Sequence, residues 1–351
     1  MGSDSKYLAA YLAPLAAFIG VYYGGYLSPG SFYVAFVFIP LFETFLPRSS
    51  QNLSNYEEER RLNSKVFDWL LYSHLPILFG LIIFYFVRLD AGGLSGGEIA
   101  WMTVSVGIIV GSFGINIAHE LGHRTNKKEQ TLSKILLLPA LYMHFFIEHN
   151  RGHHLNIGTP EDPATSRLGE NVYQFFIRSV TLSWLNAWAL ENKRLKKRGI
   201  SKWSFQNEML VFQIIQILYL AIIAIVFSPK IMLFAILIGV IGFLTLELVN
   251  YIEHYGLVRK QNESGRYERV LPKHSWNSNH ELGRIFLYEL SRHSDHHFKS
   301  TRKYQVLRHF QDSPQLPLGY PASMLLSLIP PLWFKVMNKE VEKWNLMAET
   351  N

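Results

Sequence analysis

Six mostly apolar blocks divide the chain, and their lengths are typical of membrane spans rather than of core-facing stripes. The blocks cover residues 7–27, 31–46, 66–89, 99–118, 208–227 and 231–252. Most of them approach the roughly 20 residues that a helix needs to cross a bilayer, and 31–46 is the shortest. The pattern predicts an all-α polytopic membrane protein with about six transmembrane helices.

Two long polar segments, 119–206 and 253–351, follow the fourth and sixth apolar blocks. The first contains the turn-rich stretch "TPEDPATSR", and both contain stretches with helical periodicity. We expect the two segments to form a helical cap on one side of the membrane. Together with the spans they would make a single domain that covers residues 1–351.

Basic residues predict which side of the membrane carries this cap. If all six blocks span, every Lys and Arg except Arg88 and Lys230 lies on the side of the termini and the cap. Basic loops favour the cytoplasm, so we expect the termini and the cap to be cytoplasmic. The net charge of +7 then reflects topology and needs no nucleic acid as a partner. It offers a surface to the lipid bilayer or to an acidic protein.

Histidines gather in four short clusters close to the ends of the apolar blocks or within the cap. Nine of the 14 histidines lie in "HELGH", "EHNRGHH", "NYIEHYGL" and "RHSDHH", namely His119, His123, His149, His153, His154, His254, His293, His296 and His297. Spacings of three and four place rings on one helical face. Neighbouring residues diverge by about 100° on a helix, so an adjacent pair can serve two different ions. Nine donors predict two metal ions with four or five ligands each.

The donor types narrow the choice of metal. The chain has no cysteine, which excludes an iron–sulfur cluster or a thiolate ligand from it. Imidazole suits zinc, copper, iron and nickel, and two histidine-rich sites without sulfur favour non-haem iron. Ligating histidines usually donate their second N–H to a carboxylate or carbonyl. The candidates for this supporting role are Glu120, Glu148, Asp162, Glu253, Asp295, His144 and His280. Glu253 is the strongest candidate for a direct ligand.

Two other functions fit part of the pattern. "HELGH" alone matches a zinc metalloprotease, with Glu120 as general base, but this interpretation leaves seven histidines unused. A metal transporter should carry ligands near the middle of the membrane, whereas these histidines lie near the ends of the apolar blocks. Both alternatives therefore explain less of the sequence than an iron enzyme does.

The histidine clusters and the segments around them resemble the membrane-bound alkane 1-monooxygenases, members of the histidine-rich di-iron membrane desaturase and hydroxylase superfamily. The resemblance rests on "HELGHR", "HFFIEHNRGHH", "TPEDPATSR", "NYIEHYGL", "WNSNH" and "LSRHSDHH". The histidine boxes alone are typical of the whole superfamily, and "NYIEHYGL" with "WNSNH" is more specific. Ser291 stands where the family pattern has Gln, at a position that bears no ligand.

The resemblance implies that the nine clustered histidines bind two non-haem iron ions. The implied reaction converts an n-alkane, dioxygen, two electrons and two protons into a primary alcohol and water. A rubredoxin, itself reduced by an NADH-dependent reductase, would deliver the electrons, and a bacterial inner membrane would be the location. A fatty-acyl desaturase and a xylene-type methyl hydroxylase are the alternatives within the superfamily.

A basic cluster in "ENKRLKKRG" is the first place to look for the contact with rubredoxin, because rubredoxins are typically acidic. Its members are Lys193, Arg194, Lys196, Lys197 and Arg198. Anchoring at lipid headgroups explains the same cluster equally well, and the sequence leaves both interpretations open.

Overall fold

The computed structural model describes residues 4–350, and this part of the chain is all-α. Only isolated bridges join single residue pairs, and no β-strand forms within the described residues. The predicted fold class is therefore confirmed. Contacts divide the chain into two compact units. The first holds residues up to 38, 64–150 and 184–246, and the second holds residues 39–63, 151–183 and 247 onward.

Within residues 4–350, four helices are long and apolar enough to cross a membrane: Val66–Asp90, Gly96–Gly122, Glu208–Val226 and Pro229–His254. They confirm the predicted spans at 66–89, 99–118, 208–227 and 231–252. The first consists of two successive helices, Val66–Tyr72 and His74–Asp90. The second contains a π-helical stretch, Val110–Ile115, before it ends in Asn116–Gly122. Helices of this length and composition indicate an integral membrane protein.

The other two predicted spans form shorter elements, so the structure has four span-length helices rather than about six. Block 7–27 folds into a 3₁₀ helix, Ser5–Tyr11, and an α-helix, Leu12–Tyr23. Block 31–46 lies largely in the apolar helix Gly30–Glu43, whose middle is π-helical. A membrane crossing at either block stays a prediction, as does the grouping of spans and cap into one domain.

Glycines allow two of the long helices to approach each other closely in the first unit. A Cβ atom added at Gly107 would lie 2.6 Å from the side chain of Ile241. One added at Gly111 would lie 2.7 Å from the carbonyl oxygen of Gly242. Small residues spaced by four create such contacts between membrane helices, where packing replaces the hydrophobic effect.

Replacing Gly111 by alanine should destabilise the protein by about 1–3 kcal/mol, the range for overpacking a close contact. The methyl group would meet a backbone oxygen, which cannot move without shifting the helix. A thermal melt in detergent measures the change. Gly80→Ala is the matched control, because nothing lies within 4 Å of its added Cβ. Equal melting temperatures for the two variants would contradict the close helix contact.

The first unit also contains the helices Lys127–Leu136 and Phe145–Glu148 and the latter part of Val172–Lys197. Asn126 caps the helix Lys127–Leu136 by accepting a hydrogen bond from the backbone N–H of Lys128. An asparagine in this position satisfies one of the N–H groups that a helix start leaves without a partner.

The second unit is built mainly from shorter helices and loops: Asn55–Asn63, Glu281–Phe286, His293–Phe298, Tyr320–Ser327 and Pro330–Thr350, beside the ends of Val172–Lys197 and Pro229–His254. Buried arginines hold its loops together. Arg292 donates to the carbonyl oxygens of Leu307 at 2.6 Å and Gln51 at 2.7 Å. Such charge-assisted bonds stabilise loops that have no ladder of their own.

Candidate metal centre

Three of the predicted ligands meet in the first unit. His119 lies on the helix Asn116–Gly122, and His123 directly follows the end of that helix. His149 begins the π-helical stretch His149–His153. The ring centroids of the three are 4.5–5.0 Å apart, and the Nε2 atoms of His123 and His149 are separated by 3.1 Å. The predicted i,i+4 pairing in "HELGH" therefore holds, and a third ring joins it.

Four other predicted ligands form a group within the second unit, which we call the four-histidine group: His153, His254, His293 and His297. One ring nitrogen of each lies within 4.8 Å of the others. The Nε2 atom of His297 is 2.8 Å from that of His293 and 3.3 Å from that of His153. All four side chains are buried.

The chemistry of the four-histidine group fits a metal ion. Burial, reinforced by neighbouring rings, holds the pKa of His297 well below its ordinary value, so this imidazole is neutral. Nε2 of His254 is buried and makes no hydrogen bond. Leaving a buried polar atom without a partner costs free energy, and a metal ion bound to this nitrogen would remove that cost. Converging neutral nitrogens without sulfur are typical ligands of iron, zinc or copper.

The last two predicted ligands form a pair in the second unit. The Nε2 atoms of His154 and His296 are 3.1 Å apart, with ring centroids at 4.9 Å. His153 and His154 are neighbours in sequence, yet their ring planes are 78° apart and their centroids are separated by 5.9 Å. The structure thus places His153 with one set of partners and His154 with another, as the divergence of adjacent residues on a helix predicts.

Asp162 holds the far side of one ring in the four-histidine group. Its Oδ2 atom lies 2.9 Å from Nδ1 of His153 and also accepts a hydrogen bond of 2.6 Å from the Thr165 hydroxyl. A carboxylate at this nitrogen fixes the proton on Nδ1 and leaves the lone pair on Nε2 for a metal. The position agrees with the role that the sequence predicts for Asp162.

Glu253 also contacts the four-histidine group. Its Oε2 atom is 3.1 Å from Nε2 of His293, the same nitrogen that faces His297. A carboxylate there lies where ligands converge, whereas Asp162 lies behind its histidine. Oε1 of Glu253 is buried and has no hydrogen-bond partner, so one carboxyl oxygen is available to a bound ion.

Three other acidic candidates have arginine or amide partners. In the first unit, Oε1 of Glu120 accepts bonds of 2.7 and 3.0 Å from the Arg124 guanidinium, and Glu148 accepts one of 3.2 Å from Asn186. In the second unit, Asp295 accepts from Arg308 at 2.9 Å. The Glu120 carboxylate is engaged by Arg124, which does not favour its use as the general base of a protease.

The two supporting histidine candidates differ in their surroundings. His144 packs edge-on against Tyr142 at 4.2 Å, and burial lowers its pKa to about 3. Nδ1 of His280 lies 2.9 Å from the Ser278 hydroxyl, and burial, followed by Arg48, lowers its pKa to about 4. Both rings are therefore neutral. The contacts described for them are with Tyr142 and Ser278 and not with the clustered histidines.

The five members of the basic cluster differ in their surroundings: Arg194 is paired within the protein and the other four are exposed. Arg194 forms two bonds of 2.6 and 2.8 Å with the buried Glu191 and donates to the carbonyl oxygen of Gln206 at 2.7 Å. Its guanidinium therefore joins two parts of the first unit. Exposed side chains extend from the other four positions, Lys193, Lys196, Lys197 and Arg198.

Sequence reasoning missed Thr165. The Thr165 hydroxyl connects Asp162 to the backbone N–H of Gly158, which donates to it at 2.9 Å. A threonine three residues after an aspartate in a turn-rich loop is a weak signal of such a bond.

Comparisons with known proteins agree with this geometry. The fatty acid desaturase family model matches residues 98–324. The alkane 1-monooxygenase of Ectopseudomonas oleovorans is 38% identical over 338 residues, which covers 95% of this chain and 84% of that protein. The alkane 1-monooxygenase 2 of Alcanivorax borkumensis is 38% identical over 337 residues, with 95% and 88% covered.

This chain belongs to the alkane 1-monooxygenase family. A more distant relative is the xylene/toluene monooxygenase hydroxylase component XylM of Pseudomonas putida, 27% identical over 348 residues that cover 96% of this chain and 90% of that protein. The resemblance inferred from the histidine clusters is confirmed. In this alkane 1-monooxygenase family member, the relatives and the histidine groups support a metal-dependent site, and the assignment of individual histidines as its ligands stays a prediction.

Proposed function

We propose that this chain is a membrane monooxygenase that hydroxylates the terminal methyl group of n-alkanes. The reaction would consume dioxygen, two electrons and two protons and give a primary alcohol and water. The observation that carries the proposal is the buried, all-imidazole four-histidine group of a chain with long apolar helices. A terminal C–H bond has no acid–base handle, and bound iron supplies the oxidising chemistry that it requires.

The protein's part in this reaction is to orient ligands and exclude water. Asp162 holds the Nδ1 proton of His153, so that Nε2 stays available to the metal. Glu253 places a carboxyl group beside His293. Burial of these side chains keeps the charges among them effective, since water does not screen them.

Two iron ions account best for nine ligands. The four-histidine group supplies ligands for one ion, and the three histidines that meet in the first unit, His119, His123 and His149, supply ligands for the other. Four or five imidazoles suit an iron ion, whereas nine exceed the coordination of any single one. Iron determined against protein concentration in the purified chain should approach two per chain.

Product analysis tests the proposed reaction. Membranes that contain the protein, supplied with reductant, dioxygen and octane, should give 1-octanol that carries the label from ¹⁸O₂. An alkene from a saturated acyl chain would instead indicate a desaturase, and oxidation restricted to methyl groups of xylene would indicate a XylM-like enzyme. Either of those results without 1-octanol would overturn the alkane assignment.

We propose a rubredoxin as the electron donor, reduced in turn by an NADH-dependent rubredoxin reductase. Three exposed basic side chains support this choice: Lys193, Lys197 and Arg198 offer a positive surface to an acidic protein. We further propose, from the distribution of basic residues along the sequence, that the termini and the site face the cytoplasmic side of a bacterial inner membrane. Protease accessibility of tagged termini in inverted and right-side-out vesicles tests this orientation.

Charge reversal tests the docking surface. Lys193→Glu, Lys197→Glu and Arg198→Glu combined should raise the KM for rubredoxin at least roughly tenfold at low salt, mainly through a slower association rate. The effect should shrink as ionic strength rises.

Arg194→Gln is the comparison for that variant. Its side chain pairs internally, so we expect a lower melting temperature and an unchanged salt dependence of turnover. Rubredoxin kinetics that are identical in the triple variant and the wild type would exclude this surface as the docking site.

A further inference from the structure

An open concavity of about 480 Å³ lies in the first unit at the end of the helix Val172–Lys197. It is lined by Asn192, Lys196, Gly199, Ile200, Ser201 and Lys202. None of these residues belongs to the histidine clusters, and the proposed reaction uses none of them. The volume falls within the range of about 300–1,000 Å³ typical of small-ligand sites.

Two ammonium groups border this concavity. Lys196 and Lys202 are both exposed, and no carboxylate pairs with either within residues 4–350. Arg194, by contrast, is already neutralised by Glu191. Two unneutralised cations at one concave surface favour an anion with several acceptor oxygens, such as a phosphate group.

Asn192 adds a requirement that a phosphate diester group alone does not meet. Its Oδ1 atom is buried and has no hydrogen-bond partner. A buried amide oxygen needs a donor, and a phosphate diester has none. The ligand should therefore combine a phosphate with a neutral hydrogen-bond donor.

Neighbouring side chains indicate that this ligand belongs to a membrane. Trp203 and Phe205 are 70% and 79% exposed, and the Lys202 ammonium lies 5.3 Å from the Trp203 ring centroid. Asn207 caps the span-length helix Glu208–Val226 immediately afterwards. Exposed aromatic and basic residues at the start of a membrane helix are typical of the headgroup level.

We propose that this concavity binds the headgroup of an anionic glycerophospholipid, of which phosphatidylglycerol is the simplest. The phosphate would lie between Lys196 and Lys202, and a headgroup hydroxyl would donate to Asn192. Phosphatidylcholine has no donor and carries a cation that the two lysines repel. The site therefore selects phosphatidylglycerol over phosphatidylcholine, and the lysine at position 196 serves lipid rather than rubredoxin.

Native mass spectrometry of the full-length protein, titrated with dioctanoyl lipids in detergent, tests the site. Wild type should bind dioctanoylphosphatidylglycerol more tightly than dioctanoylphosphatidylcholine. Lys196→Gln with Lys202→Gln should weaken phosphatidylglycerol binding roughly 30-fold, since each basic residue near a membrane contributes on the order of a fivefold effect. Lys193→Gln with Lys197→Gln removes the same charge outside the concavity and should change it less than about threefold.

Asn192→Leu tests the donor requirement separately. Wild type should prefer phosphatidylglycerol to phosphatidylethanol, which has the same phosphate without hydroxyls, by about fivefold, the value of one hydrogen bond. The leucine variant should lose that preference. Equal losses in the two lysine pairs would show diffuse attraction and overturn the proposal. Displacement of phosphatidylglycerol by inorganic phosphate at equal concentration would also overturn the proposal, because the site would then recognise free phosphate.

Discussion

His254→Ala should abolish hydroxylation and remove the iron ion that we propose for the four-histidine group. His254 is completely buried at the end of the helix Pro229–His254, and its Nε2 atom has no hydrogen-bond partner in the protein. Alanine leaves three imidazoles in the group and removes one of its four nitrogen ligands. Activity should fall by more than roughly 100-fold, beyond the loss typical of a residue that only supports a ligand.

Iron content separates this effect from unfolding. The variant should retain about half of the wild-type iron if the remaining histidines still bind the other ion. Single alanine substitutions at His149, His153, His154 and His297 should likewise abolish product formation. His309→Gln is the control, because His309 is half-buried and belongs to none of the histidine clusters. Full activity in any clustered-histidine variant would remove that residue from the ligand set.

Asp162→Asn should weaken iron binding by roughly 10–100-fold, the usual effect of losing a carboxylate behind a ligating histidine. Asparagine keeps the shape of the side chain but loses its charge, and its amide can present N–H groups to Nδ1 of His153. Such a contact would favour the wrong tautomer and direct the proton to Nε2, where the metal should bind. Competition with a graded series of chelators measures the affinity without relying on turnover.

Asp295→Asn is the matched control for that experiment. Asp295 is also a buried carboxylate of the second unit, but it pairs with Arg308 and Arg302 rather than with Nδ1 of a clustered histidine. Its loss leaves buried positive charge and should lower the melting temperature more than the iron affinity. If the two variants lose iron equally, the effect of Asp162 is general destabilisation and the tautomer explanation is wrong.

The sequence predicted which clustered histidines lie close together where their spacing is local. The i,i+4 spacing of His119 and His123 needs only helical geometry, and their rings do lie 5.0 Å apart. The adjacent pair His153 and His154 diverges for the same reason. The four long spans were also predictable, since length and apolar content decide them.

Long-range pairings were not predictable from the same patterns. Arg194 looked like any other member of a basic run, and only the fold shows that Glu191 neutralises it. Glu253 was a candidate because it precedes His254, yet its side chain contacts His293, forty positions away along the chain. The apolar blocks 7–27 and 31–46 were predicted as spans because hydropathy does not reveal 3₁₀ and π-helical turns, which shorten their α-helical runs.

An all-imidazole donor set has a consequence for the durability of the protein under oxygen. Thiolates pass through sulfenic to irreversible sulfinic and sulfonic acids when oxidants escape from a reaction. This chain has no cysteine, so thiol oxidation cannot inactivate it. Exposure to peroxide should therefore inactivate the protein through loss of metal or damage to rings and methionines, and thiol reductants should give no protection.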